Sequence, residues 1–109
     1  MTISTKELIK LADRLTDHFI SLGFPRTTWN FYGNDVIVDI VTNIEARDRA
    51  EKLCLSFEQW AKDSVNITIW VDDNGSWSMF IDDNAQNRVY EPTEEQIKSL
   101  IEKVEKMIF

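Results

Sequence analysis

The tripeptide Asp73-Asn74-Gly75 separates two apolar runs, and the length of the turn it makes decides which side chains share a face. A two-residue loop of Asn74-Gly75 sets Trp77, Met79 and Ile81 opposite Ile67, Ile69 and Val71, so that both faces become apolar. A three-residue loop, a type I turn closed by Gly75 in a G1 bulge, reverses the parity of the second strand. Val65, Ile67, Ile69, Val71, Trp77, Met79 and Ile81 then share one face. Asn66, Thr68, Trp70, Asp72, Ser76, Ser78, Phe80 and Asp82 share the other. An antiparallel pair with one face in the core needs that segregation, so the three-residue loop is predicted.

An earlier hairpin turns at Gly33-Asn34, a pair suited to a type II′ turn, which wants glycine first. That register pairs Phe31 with Val36, Trp29 with Val38 and Thr27 with Ile40. One face carries Thr27, Trp29, Phe31, Val36, Val38 and Ile40, and the other carries Thr28, Asn30, Tyr32, Asp35, Ile37 and Asp39.

Three helices are marked by their starts. Ser4 with Glu7, and Thr93 with Gln96, have capping-box spacing, and the middle helix is expected to begin near Thr42 and Asn43, with Glu45 three after Thr42. The first helix carries the stripe Leu8, Leu11, Ala12, Leu15, Phe19 and Leu22, and ends at Gly23 with Pro25 beyond. The second carries Ala46, Ala50, Leu53, Cys54, Phe57, Trp60 and Ala61. The third carries Ile97, Leu100, Ile101, Val104, Met107 and Ile108. The expected fold is therefore α+β, one domain over residues 1–109, in the order α-β-β-α-β-β-α. Two hairpins form a four-stranded antiparallel sheet with helices packed mainly on one face. Residues 88–90 could add a short further strand. Four strands at about 4.8 Å span roughly 19 Å, and helices pack about 10 Å apart, so one face holds two helices. The third must cover an edge, stack on the others, or meet a partner, and a homodimer is one solution.

Composition narrows the function. The 109 residues hold 12 Lys and Arg against 19 Asp and Glu, a net charge of −7. Disorder is excluded by 43% hydrophobic and 11% aromatic content. The acidity argues against binding nucleic acid directly, which needs clustered bases, and against an anionic membrane surface. No apolar run is long enough to span a bilayer. With no apolar leader at the N-terminus and a lone Cys54, a reducing cytoplasm is the expected location.

Little in the sequence serves catalysis. There is one histidine, His18, expected as a boundary residue beside Phe19, and Cys54 is expected to be an inert buried thiol. A zinc site of soft ligands needs more than these two, and three glycines cannot make a phosphate loop. Asp-Asp-Asn occurs at 72–74 and again at 82–84, but the hairpin register sets the two at opposite ends, and the glycine comes too early for a calcium loop. No enzyme activity, cofactor or metal is expected.

The charge is unevenly placed. Residues 63–95 hold eight carboxylates (Asp63, Asp72, Asp73, Asp82, Asp83, Glu91, Glu94 and Glu95) against Arg88 alone, which accounts for the entire net charge. On the polar face of the second hairpin, Trp70 and Phe80 are diagonal neighbours. A partner-binding patch is expected at Trp70, Asp72, Asp73, Phe80, Asp82, Asp83 and Tyr32. Aromatic anchors inside a charged rim are what interfaces use. The expected function is a small acidic inhibitor occupying a basic, nuclease-type or nucleic-acid-binding site on a protein partner, as phage- or plasmid-type anti-defence proteins and toxin-immunity proteins do. The alternative is a chaperone or adaptor. In helix–hairpin order and acidity the chain resembles the small acidic dimeric chaperones of bacterial type III secretion, which carry a further strand before the middle helix.

Overall fold

A computed structural model describes residues 2–53, 63–82 and 87–109. The elements are α1 (Thr5–Ser21), β1 (Thr28–Tyr32), β2 (Asp35–Val41), α2 (Ile44–Lys52), β3 (Ser64–Val71), β4 (Trp77–Ile81), β5 (Val89–Tyr90) and α3 (Glu94–Ile108). The fold is α+β, with a five-stranded antiparallel sheet in the order β1-β2-β3-β4-β5. This corrects the expected four strands and the expected element order. The added strand falls within residues 88–90, where a short further strand was an open option, and is two residues long, pairing Tyr90 with Ser78 and Val89 with Met79.

Both hairpins take the expected registers. Phe31 faces Val36 and Trp29 faces Val38; Gly33 has φ of +64° while Asn34 stays at negative φ, the pattern of a type II′ turn. In the second hairpin Trp70 faces Ser78 and Thr68 faces Phe80. The Gly75 amide donates to the Asp72 carbonyl, the Asp72 amide donates to that of Ser76, and Gly75 has φ of +82°. The loop is thus three residues. Asp72 also accepts at Oδ1 from the amides of Asn74 and Ser76, a side-chain mimic of a turn. Ile3 donates to the Gly75 carbonyl and Thr2 bridges Ser76, so the N-terminal segment braces this turn.

Because Val36, Val38 and Ile40 lie beside Ile69, Ile67 and Val65, the apolar faces of the two hairpins merge. Helices α1 and α3 fill that face, α1 over β1 and β2, α3 against β4. The core joins Leu8, Leu11, Ala12, Leu15 and Phe19 of α1 to Ile97, Leu100, Ile101 and Val104 of α3 through the sheet. Both capping boxes form. After Leu22, Gly23 adopts φ of +104°, its amide donates to Ile20 and the Phe24 amide to Phe19, a Schellman ending. The stripes run past the core at their ends: Leu22 and Met107, both expected inside, are exposed.

The middle helix differs most from its expected form. Of the two residues expected at its start, Asn43 is the N-cap, accepting from the Ala46 amide. Thr42 is taken up elsewhere, with its hydroxyl and amide both donating to the Asp63 carbonyl. The helix ends at Lys52, and Leu53, expected in the stripe, is exposed. Cys54, Phe57, Trp60 and Ala61 lie outside the described residues. Helix α2 is joined to the sheet by charge: Arg47 donates to Asp39 at 2.8 Å and to Asp63 at 3.1 Å. Burial pulls the guanidinium down, but hydrogen bonds and charge from the two aspartates outweigh it and hold Arg47 above its ordinary value.

Candidate interaction surface

The sheet face away from α1 and α3 is ordered by its registers. Thr68, Phe80 and, by continuation of the β4–β5 pairing, Arg88 share one row; Trp70, Ser78 and Tyr90 share the next. Tyr32 faces Asp35 at the far side of the sheet in the Trp70 row, with the Asp35 carboxylate accepting from the Val71 amide at 2.9 Å. Among the described residues, no helix lies over Trp70, Phe80 and Tyr90. Trp70 is 42% exposed and Tyr90 71%. Phe80 is half-buried. Ser78 sits between Trp70 and Tyr90 in its row and is buried.

Arg88 joins these rings. Its guanidinium carbon lies 4.1 Å from the centre of Trp70, 4.8 Å from Phe80 and 5.8 Å from Tyr90, each within the range of cation–π attraction. The one base in the acidic segment is therefore stacked on the exposed aromatics. Its Nε is buried and has no hydrogen-bond partner among the described residues. Beside the stack runs a groove of about 270 Å³ lined by Trp70, Asp72, Ser78, Tyr90 and Glu91, together with Ser76 and Trp77. Glu91 holds the left-handed φ of +44° while its amide donates to the Trp77 carbonyl.

The expected site residues therefore divide. Trp70, Phe80 and Asp72 gather on or beside the stack. Asp73 is exposed in the turn. Asp82 lies at the other end of the hairpin, where its φ is +53° and its Oδ1 accepts from the Asn66 amide. Tyr32 is exposed, but two strands from Trp70. Asp83 lies outside the described residues. Tyr90, Arg88 and Glu91 were missed as site residues; the signal was the tripeptide Arg88-Val89-Tyr90 read as a strand, since alternation sets Arg88 and Tyr90 on one face.

Elsewhere, His18 Nε2 lies 2.7 Å from Glu105 Oε1, a partner on α3 that sequence neighbours of His18 did not suggest. The pair ties the two core helices together, as Arg14 does with Glu94. Among the described residues no three His, Cys, Asp or Glu side chains converge as metal ligands, and no helix is long and apolar enough to cross a membrane. Comparison with protein-family models, with curated proteins and with solved structures finds no match for this chain.

Proposed function

We propose that the protein is a small non-enzymatic binding protein whose aromatic sheet face docks on a basic site of a protein partner, acting as an inhibitor of a nuclease-type or other nucleic-acid-handling protein. The observation that carries this reading is the exposed stack of Trp70, Arg88 and Tyr90 inside the segment that holds all the net charge. Tryptophan, tyrosine and arginine are the residue types enriched where interface energy concentrates. Carboxylates around them would speed encounter with a basic partner and select against acidic ones. With one cysteine, the chain suits a reducing compartment such as the cytoplasm.

The test is partner capture by the wild-type protein, repeated with Trp70→Ala and with Asp72→Asn/Asp73→Asn. Capture lost with both variants, and weakening steeply from low salt to about 0.5 M, supports the reading. Capture unchanged by both variants overturns it. A second reading, a dimeric chaperone, is favoured by the exposed ends of the core helices, where Met107 is 55% and Phe109 76% exposed. Sedimentation separates the two: a tight homodimer supports the chaperone, a monomer the inhibitor.

A further inference from the structure

We propose that the Trp70, Phe80 and Tyr90 rings form a seat for a cationic side chain of the partner, held in the free protein by the chain's own Arg88 and vacated on docking. This rests on the reading of the face as a docking surface for a basic protein, and names what enters it. The three rings reach the same face because their strands are in register, and a guanidinium already lies within cation–π distance of all of them. The seat's affinity for a cation is thus displayed by its internal occupant.

That occupant is held imperfectly. Among the described residues, the buried Arg88 Nε has no hydrogen-bond partner, and a buried donor left unmade is unfavourable. Swinging out to solvent would restore that hydrogen bond. An incoming guanidinium has a route to the same rings along the groove that Trp70 and Tyr90 line. Asp72 stands on the groove's wall, so a cation arriving there meets negative charge before it meets the rings. Arg88 thereby acts as an internal competitor. It occupies the faces of Trp70 and Phe80 in the free protein and sets a threshold that only a well-placed partner cation exceeds.

The probe is a tetra-arginine peptide, titrated while the backbone amide signals of β3, β4 and β5 are followed by nuclear magnetic resonance. The variants are Arg88→Ala, Arg88→Gln, and Lys98→Ala, which removes an equal charge from an exposed position on α3. Both Arg88 variants should bind the peptide at least about threefold more tightly than Lys98→Ala does, and adding Trp70→Ala should abolish that gain. Well-dispersed amide spectra establish that each variant is folded. Arg88 variants no tighter than Lys98→Ala, a gain that survives Trp70→Ala, or no peptide binding by any of them overturns the proposal. If it falls while Trp70→Ala still loses the captured partner, the docking surface stands without the displaceable cation. If Trp70→Ala and the Asp72/Asp73 variant both leave partner capture unchanged, the docking surface itself is wrong.

Discussion

Arg47 and Asp63 form an ion pair in which the arginine is 8% and the aspartate 2% exposed, with Nη2 of one 3.1 Å from Oδ1 of the other. A carboxylate at that depth depends on its partner, because removing the cation leaves a charge that water cannot reach. Arg47→Ala should therefore destabilise the protein by about 3–5 kcal/mol, read by urea unfolding. A loss below about 1 kcal/mol would show that Asp63 finds other compensation.

That pair also marks the boundary of what the sequence revealed. Helix caps and turn types are local, so Ser4 with Glu7, Thr93 with Gln96, Gly33-Asn34 and Asp73-Asn74-Gly75 could be read directly, and the parity argument for the second hairpin carried through to Trp70 opposite Ser78. The Arg47 cluster joins residues from β2, α2 and the start of the third strand, and nothing in their spacing announces it. The same holds for Arg88, which local sequence marks only as a base among acids, whereas its place over Trp70 follows from the pairing of β4 with β5. Thr42 shows the converse failure. It has the right spacing for a cap, but a tertiary acceptor at Asp63 takes its hydroxyl.

Two turn glycines separate strain from crowding. Gly33 and Gly75 both have positive φ, but a Cβ at Gly33 meets nothing within 4 Å, while one at Gly75 comes within 3.2 Å of the Thr2 side chain. Gly75→Ala should cost about 1–2 kcal/mol, and more than Gly33→Ala. Thermal unfolding of the two variants checks the order, and equal losses would remove the contact with Thr2 as a cause.

Arg14 holds the Glu94 carboxyl below its ordinary value of 4.5, chiefly through its hydrogen bond, which outweighs the opposing effect of burial, with the charges of Arg14 and Lys98 adding less. Because the folded chain keeps this carboxylate ionised to lower pH than the unfolded chain, the pair favours folding above 4.5 and ceases to do so as pH falls through the folded value. Glu94→Gln should lower Tm slightly near neutral pH, and the difference from wild type should disappear in strong acid. A difference that persists there would contradict the linkage.

Trp70 and Tyr90 are placed to bind rather than to support the core. Trp70→Ala and Tyr90→Ala should each change stability by less than about 1 kcal/mol, measured by chemical denaturation. A larger loss would mean that the outer face carries part of the fold, and that binding defects in these variants reflect unfolding.

Helix α2 has a consequence for how the molecule opens. Its buried residues, Arg47 and Ala50, stand outside the main hydrophobic cluster, so this helix is tied on by ionic contacts while α1 and α3 are anchored by hydrocarbon. The amides of residues 44–52 can therefore exchange their hydrogens with solvent through a local opening that leaves the sheet intact. Replacing Arg47 removes those ionic contacts, and so should hasten that exchange while the amides of α1 and α3 keep their protection. The chain then behaves as two cooperative units of unequal strength, the weaker one held by ion pairs.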